Sequence, residues 1–405
     1  MHFDKGSAWW GPPKKFDTHF EERKVSWLEL FYDLVYVIAI AKITHHLSSH
    51  ITTSGFLEYA CLFVLIFWGW LNGSLYHDLH GGMGLRTRLM TLWQMMIIAA
   101  LAITIDLPSQ KLYTNTTIVL MIMQFYITYL WWSVGIYDKE HRKYNKPYTA
   151  LYLFSLALMG LSLILSQEHL KWIIPLVITC NYLPPFLTNK VLRRSSLQLD
   201  LSPSMSERLG LFTIIVFGEV VLGVVNGISK VTILNFSAWL NFGLALSIVF
   251  ALWWVFFTLT SNRKAKKGFV IASLLEILYL PTLMSLGLIA ACLSYFFKPG
   301  HADPSLHTAF GYALVVYLTG ISLMMGLLKL PDEFRTIKRP FRISLLVTAF
   351  IFFIITLINF EMDTKYYLLM VIIILVAEIF YLNSLYYALN IEGGGNTENK
   401  PAELE

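Results

Sequence analysis

Residues 23–46 read RKVSWLELFYDLVYVIAIAKITHH. The segment is apolar enough to enter a bilayer, yet it carries Glu29, Asp33 and Lys42. A charged side chain near the bilayer centre costs roughly 2.5–3.5 kcal/mol on insertion scales. The segment therefore predicts a spanning helix whose charged side chains have partners elsewhere in the chain.

The composition predicts an all-α polytopic membrane protein. Of the 405 residues, 56% are hydrophobic and 14% charged, and the mean hydropathy is +0.59. Apolar runs of about 20 residues, the length that crosses the hydrocarbon core, recur along the chain. They predict about twelve transmembrane helices, at 26–47, 55–76, 87–106, 113–136, 148–166, 171–189, 208–229, 234–259, 268–295, 306–329, 341–360 and 365–388.

The distribution of Lys and Arg predicts the orientation. Of the 31 Lys and Arg residues, 25 lie in the N-terminal segment, the even-numbered loops and the tail, and five lie in the odd-numbered loops. Basic loops stay in the cytoplasm. We therefore expect a multi-pass protein of the bacterial inner membrane with both termini cytoplasmic. No nucleic-acid-binding motif is present, so the net charge of +5 reflects this asymmetry.

The chain divides into four predicted parts. Residues 1–24 lack the short apolar core of a cleavable signal peptide and are predicted to be a cytoplasmic segment. Residues 25–195 and 196–390 form two six-helix halves that resemble each other in outline. Residues 391–405 are polar and glycine-rich, which predicts a disordered tail.

An S-x-x-E sequence opens each half, with Ser26 and Glu29 in the first and Ser204 and Glu207 in the second. This spacing is typical of a capping box, in which the two side chains bind free amides at a helix start. Six spans in each half predict parallel repeats, an arrangement of transporters whose site lies between the repeats. Chance similarity is the alternative, because the matches are short.

Asp33 is the acid of the first span without an evident role. Glu29 has the capping role, whereas Asp33 lies about six residues into the span, roughly 9 Å deep at 1.5 Å per residue. If one of the basic residues Arg86, Arg88 or Arg208 reaches Asp33, it is a structural anchor. If none does, Asp33 marks the mouth of an ion path. Lys42 lies near the opposite end of the span, and we predict that it pairs with Glu58.

Glu219 is predicted to lie close to the bilayer midplane, and Glu276 and Glu378 are also deep in their spans. Gln94 occupies the place in the third span that Glu276 has in the ninth, and Asn226 follows Glu219 by two helical turns. An ionisable residue within the membrane indicates function by default. We predict a proton or cation path; the alternative is carboxyls hydrogen-bonded between helices.

Histidines occur in two groups, but neither has the spacing of a metal site on a fixed scaffold. His45 and His46 lie at the end of the first span, and His77 and His80 flank Asp78. We predict no metal, no cofactor and no catalytic residue. Membrane lipids and a small solute or ion are the expected partners.

The chain resembles the bacterial low temperature requirement protein A (LtrA) family. The resemblance rests on RKVSWLELFYDLVYVIAIAKI (Arg23–Ile43) and SERLGLFTIIVFGEVVLGVV (Ser206–Val225), about 180 residues apart, with support from FWGWLNGSLYHD and RLMTLWQM. Family members often have a histidine before the Glu-Arg pair and a His-Leu-Pro in the ninth span. Here Ser204 and Met205, and then Tyr279, stand in those places. The resemblance implies a polytopic inner-membrane protein and no particular reaction.

Three functions stay open from the sequence. The first is a secondary transporter or a proton- or cation-conducting protein. The second is a membrane enzyme acting on a lipid-like substrate with Asp33 and a histidine, which requires a lateral cavity holding both groups. The third is a non-catalytic sensor or scaffold for low-temperature growth, which requires only isolated, hydrogen-bonded carboxyls.

Overall fold

The computed structural model describes residues 24–49, 51–82, 84–105, 109–139, 142–194, 200–229, 231, 234–261, 263–297, 304–331, 335–358 and 362–393. The predicted segment 1–24 lies outside these residues except for Lys24. The predicted tail lies outside them from residue 394, and the last helix runs to Gly393, three residues beyond the expected boundary.

The described residues form thirteen α-helices and one 3₁₀ turn, η1. In chain order they are α1 (Trp27–Ser49), α2 (Thr53–His80), α3 (Leu85–Ile105), α4 (Ser109–Tyr137), α5 (Arg142–Ser162), η1 (Gln167–His169), α6 (Leu170–Tyr182), α7 (Pro184–Arg194), α8 (Pro203–Ile228), α9 (Phe236–Thr260), α10 (Phe269–Phe296), α11 (Pro304–Leu327), α12 (Lys338–Ile358) and α13 (Thr364–Gly393).

The all-α, polytopic prediction is confirmed. Among the described residues, ten helical segments are long and apolar enough to cross a membrane. One of these segments, Leu170–Asn189, joins α6 to the first part of α7. The helices α1 and α5 are not among the ten, and both carry several charged residues.

Helix boundaries follow local chemistry. Thr52 caps α2 by accepting a hydrogen bond from the Gly55 amide at 3.1 Å, and Asn235 caps α9 in the same way at 2.9 Å from the Ala238 amide. Such side chains satisfy amides that have no partner within the helix. Leu183 separates α6 from α7, which begins at Pro184 because proline lacks an amide hydrogen and is favoured in a first turn.

The described chain divides into two compact units. The first contains the residues up to Glu219 together with Ala265–Ala291, and the second contains Val220–Lys264 and the residues from Cys292. Both α8 and α10 contribute to each unit, so the units differ from the two predicted halves. In the first unit α1 packs on α2 and α3, α4 on α3 and α5, and α6 on α2 and α5. In the second, α9 packs on α11 and α13, and α12 on α11 and α13.

Two glycines let α2 approach its neighbours closely in the first unit. A Cβ atom at Gly73 would overlap the hydroxyl of Tyr32 and lie 2.5 Å from Nε2 of Gln94. A Cβ atom at Gly69 would lie 2.6 Å from the sulfur of Met123. Small residues admit neighbouring groups to the helix backbone. Tyr32 and Gln94 therefore reach α2 only because these positions have no side chain.

Substitution of Gly73 by Ala is expected to destabilise the protein. Overpacking of a tight interior costs about 1–3 kcal/mol. Gly218→Ala is the matched control, because no described atom lies within 4 Å of its added methyl group and alanine favours the helix. Thermal unfolding in detergent should show a lower midpoint for Gly73→Ala alone. Equal midpoints for the two variants would contradict the close approach at Gly73.

Candidate functional site

The first unit has two ends, the Arg208 end and the Glu58 end. At the Arg208 end, α1 and α8 begin and α2 ends. At the Glu58 end, α1 ends and α2 begins. Every residue of the candidate site lies in this unit.

A buried ion pair joins α8 to α1 at the Arg208 end. The side chain of Arg208 is 1% exposed and that of Asp33 is 0% exposed. Nη2 of Arg208 donates to Oδ1 of Asp33 at 2.5 Å, and Nε donates to Oδ2 at 3.2 Å. Trp70 Nε1 donates a third hydrogen bond to Oδ1 at 2.7 Å. Asp33 is therefore a structural anchor, and we remove it from the predicted ion path.

The remaining surfaces of Arg208 are also occupied. Its guanidinium carbon lies 5.4 Å from the ring centre of Tyr32 and 5.8 Å from that of Trp70. Oε1 of Glu29 lies 3.8 Å from Nη1 of Arg208. Aromatic faces attract cations, and a planar guanidinium suits stacked and two-point contacts together. These partners allow a cation to stay buried.

The two predicted capping boxes have different outcomes. Glu29 Oε2 accepts from the Ser26 amide at 2.9 Å, and Ser26 Oγ accepts from the Glu29 amide at 3.4 Å, which is the reciprocal pattern of a capping box. At α8 the prediction of Ser204 and Glu207 is wrong by two residues. Ser202 precedes the helix and accepts from the Met205 amide at 3.0 Å, because the preferred first-turn residue Pro203 starts α8.

Ser204 has another role, because its hydroxyl donates to Oδ1 of Asp78. Asp78 and Glu276 border a cavity of about 30 Å³, the Asp78 cavity, together with Asp200 and Ser273. About 10–15 Å³ suffices for one water molecule. The carboxyl groups of Asp78 and Glu276 interact electrostatically, and both carry negative charge when ionised. A proton or cation between them would relieve this repulsion.

Glu276 also borders a second cavity, of about 20 Å³, which we call the Asn181 cavity. The Glu276 side chain is buried, and no hydrogen bond from the described part of the chain reaches its carboxyl group. Asn181 lines the same cavity with Nδ2 buried and without a hydrogen-bond partner among the described residues. A buried polar group without a partner is costly. Both groups therefore favour a water molecule or an ion between them.

A layer of buried polar side chains closes the Asn181 cavity toward the Glu58 end. Tyr152 donates to Oδ1 of Asn72 at 2.5 Å, and Gln124 Nε2 donates to Oδ1 of Asn181 at 3.0 Å. Trp68 Nε1 donates to the backbone oxygen of Asn181 at 2.9 Å. These five residues, which we call the polar layer, connect α2, α4, α5 and α6.

Beyond the polar layer lies a much larger cavity, the Glu58 cavity, of about 440 Å³. The same four helices line it, with Leu65, Leu120, Met159 and Val177 each within one or two turns of a polar-layer residue. Glu58 and Cys61 lie on its wall near the start of α2. This volume is within the range of small-molecule sites, about 300–1,000 Å³.

One face of α2 follows all three cavities. Its residues are spaced alternately by three and four positions, which places them in a single row along a helix. Six of them line a cavity, namely Glu58, Cys61, Leu65, Asn72, Leu75 and Leu79, and Trp68 of the polar layer lies between them in the row. At 1.5 Å per residue the row is about 30 Å long, the thickness of the hydrocarbon core. The cavities therefore follow one helix across the unit, with the polar layer as the separation.

Gln94 lies on another side of α2, against Gly69 and Gly73. Its Nε2 donates to the Tyr36 hydroxyl at 2.8 Å and to the Gly69 carbonyl at 3.1 Å. Oε1 is buried without a hydrogen-bond partner among the described residues. Gln94 thus lies in the core between α1, α2 and α3 and borders none of the three cavities.

The other predicted acids of the path, Glu219 and Glu378, do not line any of the three cavities. Glu219 is half-buried and interacts electrostatically with His45. Asn226 is half-buried in the second unit. Glu378 is buried there and accepts hydrogen bonds from Ser344 at 2.7 Å and Thr348 at 2.8 Å. The carboxyl group of Glu378 therefore joins α13 to α12 by hydrogen bonds.

At the Glu58 end, Oε1 of Glu58 lies 4.0 Å from Nε2 of His46. His46 is one helical turn beyond Lys42, and the pairing of Lys42 itself with Glu58 stays a prediction. His77 Nε2 lies 3.1 Å from the Thr91 hydroxyl, and the His80 ring packs on Tyr76. Within the described residues no group of three or more His, Cys, Asp or Glu side chains is arranged to hold a metal ion.

The sequence analysis missed most of the polar layer. It singled out ionisable residues, whereas Asn72, Gln124, Tyr152 and Asn181 are uncharged. One signal for this row was available in the sequence, because Glu58, Asn72 and Leu79 are separated by multiples of seven residues and so share one face of α2. The convergence of four helices on that row could not be read from spacing alone.

The chain matches the family of bacterial low temperature requirement A proteins (LtrA) over residues 24–379. The match spans most of the chain, so the protein belongs to this family. No curated protein and no solved structure matches it. The two blocks that carried the resemblance contain Asp33 and Arg208 respectively, so the buried ion pair joins them.

Removal of Arg208 is expected to destabilise the protein strongly. Arg208→Met leaves Asp33 and Glu29 buried without their cation, and breaking a buried pair costs about 3–5 kcal/mol. Arg88→Met is the control, because Arg88 is exposed at the start of α3. Fluorescence-detected gel filtration after heating should show loss of the Arg208→Met protein at a lower temperature.

The double variant Asp33→Asn/Arg208→Met should recover part of the lost stability, since one of the unpaired charges is gone. If Arg208→Met is as stable as Arg88→Met, the ion pair is not the anchor of α8.

Proposed function

We propose that this LtrA family member is a secondary transporter or a proton- or cation-conducting protein of the bacterial inner membrane. The observation that supports this proposal is the row of three cavities along α2. Glu276 lies between the two smaller cavities, and the polar layer separates these from the Glu58 cavity. A path that is wide at one end and closed by a thin layer is the form expected of a transporter in one of its alternating states.

The proposal includes the membrane topology. Twelve spans cross the bilayer, with α6 and α7 together forming one. Although α1 has several charges, its exposed large side chains Trp27, Phe31, Leu34 and Ile38 form one apolar stripe suited to lipid. The Lys and Arg distribution puts both termini and the Arg208 end in the cytoplasm, so the Glu58 end faces outward.

Two parallel six-helix repeats are also part of the proposal. Support comes from equivalent neighbours in the two units. α2 packs on α4 and α6 in the first unit, and α9 packs on α11 and α13 in the second. Counting α6 and α7 as one span, these are the same positions of each repeat.

In this mechanism Glu276 takes up a proton or a cation from the cytoplasmic side. Asp78 lies across the cavity from it, and water in the two small cavities would carry the proton or hydrate the ion. The polar layer, with Asn72, Tyr152 and Asn181 beside Glu276, offers both donors and acceptors. Passage to the Glu58 cavity requires that this layer open.

The two other functions have less support. The enzyme hypothesis needed Asp33 and a histidine in a lateral cavity, but Asp33 is bound by Arg208 and Trp70, and neither Asp33 nor any described histidine lines the Glu58 cavity. The sensor or scaffold hypothesis fits the hydrogen-bonded carboxyl of Glu378, but not that of Glu276. Glu219 and Asn226 stay candidates for the path, and a flux assay of Glu219→Gln tests the first of them.

Glu276→Gln is expected to lower the flux of protons or cations by about tenfold or more, equivalent to about 1.4 kcal/mol in the barrier. The amide cannot release a proton or carry the charge. Purified protein in liposomes with an internal pH dye, and with cation uptake measured in parallel, gives the rate. Glu378→Gln, a buried acid already held by two hydroxyl groups, is the control and should retain the flux.

Wild-type protein without flux, or Glu276→Gln with the wild-type rate, contradicts the proposed function.

The closed polar layer predicts a difference in thiol access. In a variant with Cys61, Cys180 and Cys292 replaced by Ser, Leu62→Cys should react with a charged, membrane-impermeant thiosulfonate added outside. Leu75→Cys, which lies beyond the layer, should not react from that side. Ile118→Cys on the exposed face of α4 is the control and should not react, since lipid excludes the reagent.

Equal labelling of Leu62→Cys and Leu75→Cys from outside would show that the layer does not separate the cavities.

A further inference from the structure

The Glu58 cavity is large enough for an organic molecule and far too large for a proton path alone. Its volume of about 440 Å³ exceeds that of the Asp78 cavity, about 30 Å³, by more than tenfold. Its wall is mostly aliphatic, with Leu62, Leu65, Leu120 and Ile173 among the contributing side chains. Apolar walls with few polar groups are typical of small-molecule sites.

The charge in this cavity has one sign. Among the described residues that line it, one side chain is ionisable as an acid or a base of the Asp, Glu, Lys, Arg or His type, namely Glu58, which is 42% exposed. Nε2 of His46 lies 4.0 Å from Oε1 of Glu58, and neither His46 nor Lys42 lines the cavity. Lys111 and Lys171 adjoin lining residues in sequence but do not line the cavity. A carboxylate at the edge of an apolar cavity attracts a cation.

The polar groups in the wall are otherwise uncharged. Thr116, Thr117 and Ser162 lie on α4 and α5, and Tyr113 lies near the start of α4. None of the described Lys and Arg residues lines the cavity to receive a phosphate group, which argues against a phospholipid headgroup as the occupant. The combination fits a molecule with an apolar body and a single positive charge.

We propose that the Glu58 cavity binds an amphipathic organic amine, with the ammonium group at Glu58 and the hydrocarbon part toward Leu65 and the polar layer. The site deepens the proposed function and rests on it only for the claim that the bound molecule is then carried. Binding itself is measured without a membrane gradient, so the two claims fail separately.

Cys61 reports on this cavity without an added label. It lines the cavity and is half-buried, whereas Cys180 and Cys292 are buried. A ligand in the cavity therefore shields one thiol out of the three. Mass spectrometry of the intact, detergent-purified protein measures its alkylation by N-ethylmaleimide.

The probes are three molecules with the same chain: N,N-dimethyloctylamine as the cation, octanol as the neutral analogue and octanoate as the anion. We expect dimethyloctylamine to slow Cys61 alkylation by about fivefold at about four times its dissociation constant, because the unoccupied fraction falls as 1/(1 + [L]/Kd). Octanol and octanoate at the same concentration should have little effect.

Glu58→Gln should reduce protection by the amine to the level of octanol, and Glu58→Asp, which keeps the charge, should retain most of it. Glu168→Gln is the matched control, an exposed acid in η1 that does not line the cavity, and it should behave as wild type. The Glu58→Asp protein also serves if Glu58→Gln does not fold.

Equal protection by all three probes overturns the cation preference and leaves an apolar cavity only. Stronger protection by octanoate, unchanged protection in Glu58→Gln, or a Cys61 thiol that does not react without ligand overturns the site. A protein that binds the amine but shows no flux in liposomes retains the site and loses the transport function.

Discussion

The ion pair of Arg208 with Asp33 is the constraint on which the first unit depends. Two buried charges repay their loss of hydration only when geometry and hydrogen bonds are good. Here the carboxylate has three hydrogen bonds, and the guanidinium lies near the rings of Tyr32 and Trp70. Since these groups come from α1, α2 and α8, the pair fixes the rotation of α2 about its own axis relative to α1 and α8.

The rotation of α2 decides what its two faces do. Gly73 faces α1 and α3, where the hydroxyl of Tyr32 and the amide of Gln94 lie against the helix backbone, and Gly69 faces Met123 of α4. A second face, about 100° around the helix, includes Trp68 and Asn72 and meets α5 and α6. On the glycine face, neighbouring side chains fill the space beside α2, and they can approach this closely only because Gly69 and Gly73 have no side chain. The face that includes Asn72 borders the cavities.

The sequence was informative where the physics is local. Apolar length predicted the helices, and Ser26 with Glu29 predicted the cap of α1. Sequence also named three cations that could reach Asp33, but it could not select Arg208, because the choice depends on how α8 approaches α1. The S-x-x-E spacing placed the cap of α8 at Ser204. Pro203 is the stronger signal for a helix start, and it makes Ser202 the cap.

The contrast between Glu276 and Glu378 shows why a buried acid is not by itself a functional site. Both are glutamates deep in apolar helices, and sequence treats them alike. Glu378 accepts two hydrogen bonds from hydroxyl groups, so burial costs it little and no further partner is needed. Glu276 borders two cavities, without a protein hydrogen bond in the described part of the chain. A water molecule or an ion in either cavity would supply that partner, and on this ground we propose Glu276, and not Glu378, as a residue of the path.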